Sequence, residues 1–224
     1  MSFVRENLEK VRSEIPSHVK LVAVSKVQPN KKVLEAYGAG HRIFGENKAQ
    51  ELISKQPGLP DDIQWHFIGH LQRNKVKYIA PFVEMIESVD SLKLLKEINK
   101  QAVKNDRVIR CLLQFHIAEE ESKFGLSVDE FTEIISSPVF GELKNVNLCG
   151  VMGMATFTED MDQVRKEFRQ LKSIFDRIKD EHFASDDQFR EISMGMTGDY
   201  KVALEEGSTI VRIGTAIFGE RNYG

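Results

Sequence analysis

Lys20–Lys26, KLVAVSK, is the stretch that decides the fold. The four residues after Lys20 are continuously apolar, Ser25 and Lys26 are polar, and Pro29 ends the run. A short, wholly apolar run of this kind is typical of a strand that is buried on both faces of a parallel sheet. Lys26 then lies at the rim of that sheet, with its stem in apolar surroundings.

The rest of the chain repeats the pattern of a short strand followed by an amphipathic helix. Ser127 and Glu130 have the spacing of a capping box at the head of one such helix. Strands are predicted at 20–25, 42–44, 64–68, 83–86, 108–117, 146–154, 189–193 and 209–213. Helices are predicted at 30–37, 46–55, 72–80, 91–104, from 127, at 160–182 and at 198–205.

This alternation predicts a parallel sheet with helical crossovers. Eight strand–helix units in about 200 residues favour a closed (β/α)8 barrel of the TIM type over an open doubly wound sheet. No G-x-G-x-x-G sequence follows the first strand, which disfavours a dinucleotide-binding sheet. We expect residues 1–224 to form one α/β barrel domain, with an additional amphipathic helix at the N-terminus that caps one end of the barrel.

Composition excludes several classes of function. The 224 residues carry 31 Lys and Arg against 34 Asp and Glu, a net charge of -3, which argues against binding to nucleic acid or to a membrane surface through bulk charge. No apolar stretch approaches the roughly 18 residues of a membrane span. Cys111 and Cys149 both lie in apolar runs without metal-ligand spacing, so we expect reduced core thiols, a cytoplasmic protein and no metal site.

In such a barrel the functional site lies at the carboxyl ends of the strands. There, burial would favour the neutral amine of Lys26, the form that attacks aldehydes. The last two loops, SMGMTGD from Ser193 and RIGTAIFG from Arg212, are rich in small and hydroxylated residues, which suits a phosphate site. The alternatives are a solvated loop lysine and ordinary turn chemistry.

An aldehyde-reactive amine beside a phosphate site indicates pyridoxal 5'-phosphate (PLP), which carries both an aldehyde and a phosphate. Arg212 lies two residues before Gly214, so the two positions point the same way from the last strand. An arginine that donates to the pyridine nitrogen would keep it unprotonated, because arginine does not give up its proton. Such a ring is a weak electron sink, and it would stabilise carbanions poorly.

Five segments of the chain resemble the pyridoxal phosphate homeostasis protein family, once called the proline synthetase co-transcribed homologues. They are VAVSKVQP, FGENKAQE, WHFIGHLQRNK, LCGVMGMAT and ISMGMTGDYKVALEEGSTIVRIGTAIFGER, and the resemblance runs from about Leu21 to Arg221. It implies an alanine-racemase-like barrel without the second domain of the racemases. It also implies a role in intracellular PLP homeostasis.

The resemblance assigns roles to residues of this chain. Lys26 matches the lysine that binds the cofactor as a Schiff base, and Asn47 matches a cofactor-facing position of the second strand. Ser193 matches the phosphate-binding serine. Arg212, Gly214 and Thr215 match the motif of the eighth strand at the ring nitrogen and the phosphate. The chain departs from the family at His116, where an asparagine is usual.

Three functions are compatible with these residues: a PLP carrier that turns over no amino acid, a small PLP-dependent amino-acid racemase, and an aldose-phosphate enzyme that uses Lys26. A racemase needs two bases, one on each face of the cofactor. Only Tyr200 or Tyr223 could supply the second from the C-terminal region, so we predict a carrier without catalytic residues. We expect a monomer whose partners are PLP and the apo forms of PLP-dependent enzymes.

The remaining candidates are histidines and methionines. His66 and His70 flank Phe-Ile-Gly and could contact a ligand, although buried, hydrogen-bonded histidines are commoner; His116 is expected to be structural. Four methionines near the strand ends are expected to pack the mouth of the barrel. They are Met152, Met154, Met194 and Met196.

Overall fold

Eight parallel strands close into a barrel in chain order, β1 to β8, in the computed structural model, which describes residues 2–119 and 124–220. The TIM-type fold expected from the alternation is confirmed. The strands are β1 Lys20–Val24, β2 Ile43–Glu46, β3 Gln64–Phe67, β4 Met85–Val89, β5 Ile109–Gln114, β6 Val146–Met152, β7 Glu191–Ser193 and β8 Ile210–Ile213.

Helices cover the outside of the barrel. They are α1 Phe3–Ser13, α2 Asn30–Gly38, α3 Ala49–Lys55, α4 Arg73–Ile79, α5 Leu92–Lys104, α6 Val128–Ser136, α7 Met161–His182, α8 Tyr200–Glu205 and α9 Thr215–Phe218. Short 3-10 helices occupy Gln56–Gly58 and Phe140–Glu142. The capping box predicted at Ser127 and Glu130 is present at the head of α6. Within the described residues, no helix is long and apolar enough to span a membrane.

The apolar stretch after Lys20 is buried on both faces, as predicted. Leu21 and Ala23 pack in the core between the sheet and the helices, whereas Val22 and Val24 pack inside the barrel. The inner cluster also contains Met85, Leu112, Cys149, Met152 and Ile210. The barrel interior is therefore a packed layer of side chains, and a ligand has room only at its ends.

The prediction that α1 caps one end of the barrel is wrong. The helix lies against the outside wall, where Val4, Leu8 and Val11 are buried. Its Arg12 donates to the carbonyl of Ala39 after α2, and the helix also contacts α2 itself and α9. Because α9 has only four residues, α1 fills the place of the helix that would cover β8.

Two predicted boundaries are also wrong, and both matter for the site. Glu46 was expected to begin a helix, but it is the last residue of β2, and α3 begins only at Ala49. The fourth strand was expected to end at Ile86, but it continues to Val89 and carries Glu87 and Ser88 into the interior. In both cases a buried polar residue interrupts the apolar pattern from which strands are recognised.

Candidate functional site

A cavity of about 470 Å³ opens at the carboxyl ends of the strands. Its lining comes from the loops after β1, β2, β3, β6, β7 and β8. The structure brings together five of the six residues predicted for the site. They are Lys26, Asn47, Arg212, Gly214 and Thr215.

Arg212 is the cation at the floor of this cavity, and it is only 3% exposed. Its Nη1 donates to the hydroxyl of Ser193 at 2.5 Å, and its Nη2 donates to the carbonyl of Gly153 at 2.9 Å. Burial lowers the pKa of the guanidinium, and the negative charges of Glu87 and Asp199 oppose that shift. These two hydrogen bonds hold the guanidinium of Arg212 in one orientation, so its remaining N–H donors have fixed directions.

The partner of this arginine is a carboxylate in the barrel interior. Glu87 Oε2 accepts the hydroxyl proton of Ser193 at 2.5 Å, and Glu87 Oε1 lies 2.6 Å from Nδ1 of His66. Burial alone would raise the pKa of Glu87, but the hydrogen bond and attraction of His66, the charge of Arg212 and the hydrogen bond of Ser193 lower it overall. An ionised carboxylate only accepts hydrogen bonds, so His66 Nδ1 must carry the proton between it and Glu87. Each contact from His66 through Glu87 and Ser193 to Arg212 then has one donor and one acceptor.

Ser193 therefore lies behind Arg212 rather than in the cavity lining. Its side chain is fully buried, and its hydroxyl bridges the arginine and Glu87. The expected direct contact of this residue with a phosphate stays a prediction. The contact that the structure shows is support for the orientation of Arg212.

The two loops that were expected to bind phosphate lie side by side. The amide of Gly214 donates to the hydroxyl of Thr197 at 3.4 Å, which joins the loop after β8 to the loop after β7. Gly195 has φ +94, and a Cβ there would lie 2.6 Å from Cβ of Ala203. Glycine is thus required for this loop to turn tightly against α8 and to present Thr197 to the cavity.

Lys26 is half-buried at the edge of the cavity, and both of its neighbours are held by polar bonds. The hydroxyl of Ser25 donates to Glu46 Oε1 at 2.6 Å, and the amide of Val27 donates to Glu51 Oε1 at 2.6 Å. The buried ammonium of Lys55 joins these two carboxylates at 2.8 and 2.6 Å. The lysine predicted to react thus lies on a turn that is bonded on both sides.

The histidines do not line this cavity. His66 is buried with Glu87, whereas His70 is exposed, stacks on Phe124 at 4.2 Å and lies 3.0 Å from Asp90. His116 is half-buried in the segment after β5. Of the four methionines expected at the mouth, Met154 and Met196 line the cavity; the prediction is wrong for Met152, which packs inside the barrel, and for Met194, which packs between the sheet and the helices. No group of potential metal ligands occurs in the described part of the chain.

Of the two tyrosines considered as second bases, Tyr200 lies outside this cavity. Its hydroxyl donates to Glu14, directly after α1, at 2.7 Å, and burial together with that bond raises its pKa. Tyr200 lines a neighbouring cavity of about 610 Å³ between α1 and α8. Tyr223 lies outside the described residues.

Sequence reasoning missed three residues that shape the site: Lys55, Glu87 and Asp199. The charged residue at the start of α8, Asp199, lines the cavity and accepts the amide proton of Met196. Glu51 and Lys55 have the i, i+4 spacing of a helical ion pair, a signal that was present in the sequence. Glu87 would have been found if the fourth strand had been extended past Ile86.

The family model of the alanine racemase N-terminal domain matches residues 2–222. The pyridoxal phosphate homeostasis protein of Aquifex aeolicus (strain VF5) is 40% identical over 205 residues, which cover 91% of this chain and 88% of the relative.

Solved structures give the same result. PipY of Synechococcus elongatus PCC7942, in a structure with PLP bound, has a TM-score of 0.85 and 33% identity, and the match covers 96% of this chain and 100% of that chain. Alanine racemase from Bartonella henselae has a TM-score of 0.75 and 16% identity, with coverage of 98% and 61%. The racemase likeness shows a shared fold alone.

Proposed function

The chain belongs to the pyridoxal phosphate homeostasis protein family, within the family of the alanine racemase N-terminal domain, and we propose that it holds PLP as a Schiff base on Lys26. Its ligand is PLP, as the PLP-bound relative PipY and the curated relatives indicate. Its role lies in PLP homeostasis. The finer part of the proposal is that it carries the cofactor without turning over amino acids.

The cavity fits such a ligand in size and charge. Its volume of about 470 Å³ falls within the range of small-molecule sites, roughly 300–1,000 Å³. Lys26 and Arg212 provide two cationic groups against the single carboxylate of Asp199 among the described lining residues. Val24, Ile68 and Met154 supply apolar surface for a ring.

The reactive group of this chain is the amine of Lys26. PLP supplies an aldehyde that condenses with a neutral amine with the loss of one water. The apolar side chains of Val24 and Ile68 line the cavity beside Lys26 and reduce its exposure to water. Gly214, Thr215 and Thr197 lie where the two loops meet, and there they would bind the phosphate through amides and hydroxyls.

Arg212 would face the pyridine nitrogen. The bonds to Ser193 and Gly153 fix its orientation, and its charge is balanced by Glu87. A guanidinium cannot transfer its proton, so the nitrogen remains an unprotonated acceptor and the ring stays a weak electron sink. This arrangement favours binding over the stabilisation of a carbanion.

A second base is also poorly provided for. Among the described lining residues, the titratable side chains are Lys26, Arg212 and Asp199. The hydroxyl of Tyr200 is bonded to Glu14 instead. General acid–base help typically contributes about 10²–10⁴-fold to a rate, so a site with one amine and no placed partner favours a carrier. Among the described lining residues, Asp199 is the carboxylate that racemase-type exchange would have to use.

The observation that carries the proposal is the convergence of Lys26, Arg212, Gly214 and Thr215 on one cavity. Incubation of the PLP-loaded protein with L- and D-alanine in deuterated water tests the absence of turnover. We expect exchange of the α-proton no faster than with free PLP. Exchange at enzyme-like rates that is lost in Asp199→Asn and retained in Glu14→Gln would support the racemase instead.

Carriage implies release to a recipient. We propose that the recipients are apo forms of PLP-dependent enzymes in the cytoplasm and that the protein acts as a monomer. Stoichiometric activation of an apo-aminotransferase by the loaded protein, in the presence of a phosphatase that destroys free PLP, tests the transfer. Sedimentation at micromolar concentration tests the monomer.

A further inference from the structure

The turn that carries Lys26 contains a strained residue. Val27 has φ +63, in the left-handed region, although it is β-branched. Such residues rarely adopt this conformation, and they keep it only where surrounding contacts impose it. Val27 is 40% exposed, so burial of its own side chain does not account for the conformation.

The contacts that impose it come from one buried group of charges, Glu46, Glu51 and Lys55, here called the Lys55 cluster. Glu51 Oε1 accepts the amide proton of Val27 at 2.6 Å. Lys55 Nζ donates to the carbonyl of Ser25 at 2.7 Å, and Glu46 Oε1 accepts the hydroxyl proton of Ser25 at 2.6 Å. Both residues that flank Lys26 are therefore bonded to this cluster: Ser25 to Glu46 and Lys55, and Val27 to Glu51.

The cluster is costly to bury. Glu46 is fully buried and Lys55 is 7% exposed. Within the described residues, Glu46 Oε2 has no hydrogen-bond partner. A buried ion group of this kind contributes little net stability compared with apolar residues of similar volume. What apolar residues cannot supply is three directional bonds to Ser25 and Val27.

We propose that Lys55 is a positioning residue for Lys26, and that the Lys55 cluster holds the strained turn so that the amine of Lys26 projects into the cavity. This inference rests on the proposed function, because it concerns the reaction of that amine with PLP. It assigns a role to Lys55, which does not line the cavity. It also explains why the strain at Val27 is retained, since a relaxed turn would change the direction of the preceding side chain, that of Lys26.

The test separates the reaction of Lys26 from binding in the cavity. Lys55→Met keeps the length of the side chain and removes its charge. Pyridoxine 5'-phosphate has no aldehyde, so its affinity by calorimetry reports the cavity alone. We expect this affinity to be unchanged, whereas the rate at which PLP forms a borohydride-trapped adduct on Lys26 falls by about 10–100-fold, as displacement by about 1 Å can cause.

Lys20→Met is the matched control. Lys20 lies at the amino end of β1, the strand that precedes Lys26, and like Lys55 it pairs with a buried glutamate, here Glu191. We expect this variant to form the adduct at the wild-type rate. Equal slowing in both variants would show a general loss of rigidity and would overturn the inference.

The other outcomes are also decisive. If the wild-type protein forms no adduct on Lys26, the proposed function fails. If it does and Lys55→Met reacts at the wild-type rate, the positioning role fails alone. Loss of pyridoxine 5'-phosphate binding in folded Lys55→Met would likewise overturn it. If Lys55→Met does not fold, Glu51→Gln is tested instead, because the side chain of Glu51 is 20% exposed. Slowed adduct formation with unchanged affinity for pyridoxine 5'-phosphate supports the role, and a wild-type rate contradicts it.

Discussion

The two ends of β1 use the same chemistry for different purposes. At the amino end, Lys20 pairs with Glu191, whose other oxygen accepts the hydroxyl proton of Thr209 at 2.9 Å. At the carboxyl end, Lys55 pairs with buried Glu46 next to the turn of Lys26. Each end lies beside a cavity, but only the cavity at the second end has a left-handed residue other than glycine, Val27, next to a residue of its lining.

The two ion pairs contact different parts of the structure. The first pair joins β1 to β7 across the end of the barrel, as expected of a contact that closes the structure. The second belongs to the Lys55 cluster, which is bonded to the residues on either side of Lys26. In (β/α)8 barrels the amino ends of the strands contribute mainly to stability and the carboxyl ends carry function, and the two ends of this strand follow that division.

The largest effect is expected for removal of the phosphate from the ligand. Pyridoxine should bind about 10²–10⁴-fold more weakly than pyridoxine 5'-phosphate, because charge-assisted hydrogen bonds contribute about 1.5–3 kcal/mol each. Calorimetry on the wild type and on Lys20→Met checks this, since the amino-end variant should show the same ratio. Equal affinities for the two compounds would place the phosphate outside the loops of Gly214 and Thr197.

Loss of Arg212, the buried cation near the carboxyl end of β8, should cost more stability than loss of the Lys20–Glu191 pair at the amino end of β1. Arg212→Met leaves buried Glu87 with the hydrogen bonds of His66 and Ser193 but without the charge of Arg212, so we expect the free energy of unfolding to fall by about 3–5 kcal/mol. Lys20→Met leaves Glu191 with Thr209 and with Arg110, which lies 3.7 Å away, and should cost less. Urea denaturation measures both. Equal losses would contradict the distinction between the two ends.

Ser193→Ala sharpens the interpretation of the interior network. The variant removes the bridge between Arg212 and Glu87, and we expect a loss of about 1–3 kcal/mol at neutral pH. The folded-state pKa of Glu87 is lowered, so its contribution is present above the unfolded-state pKa and disappears as pH falls through the folded-state value. Without the hydroxyl that pKa rises, so acid unfolding should begin at a higher pH. An unchanged acid transition would show that Glu87 does not depend on Ser193.

The smallest effect is expected at the strained turn itself. Val27→Gly relieves a left-handed β-branched residue, which costs about 1–3 kcal/mol, and adds the unfolded-state entropy of glycine, about 0.5–1 kcal/mol. We therefore expect the free energy of unfolding to rise by about 1 kcal/mol. Asp106→Gly is the control, because Asp106 has φ +51 and aspartate tolerates this region better. Destabilisation by Val27→Gly would show that the turn is not strained.

The sequence predicted the barrel because the apolar strands and amphipathic helices alternate without interruption. Leu21 to Val24 are buried on both faces, and their continuous apolar run identified β1 without knowledge of its neighbouring strands. The position of Lys26 followed from the rule that sites lie at the carboxyl ends of the strands. That residues 1–224 form one domain stays a prediction.

The polar interior could not be predicted in the same way. Glu46 and Glu87 are charged residues in strands, and the apolar pattern stops at such residues, although both are fully buried. Glu46 bonds to Lys55, 9 residues away, and Glu87 bonds to His66 and Ser193, 21 and 106 residues away, so only the folded barrel brings these partners together. The place of α1 depended on α9 being too short to cover β8, which a local pattern does not reveal.

The most direct test of the account is the site at which PLP becomes attached. Wild-type protein is loaded with PLP and reduced with borohydride, and the modified peptide is identified by mass spectrometry beside Lys26→Ala and Lys20→Met. We predict one phosphopyridoxyl group on Lys26, its loss in Lys26→Ala and its retention in Lys20→Met. A PLP-loaded protein whose label lies on another lysine, or persists undiminished in Lys26→Ala, would contradict the account.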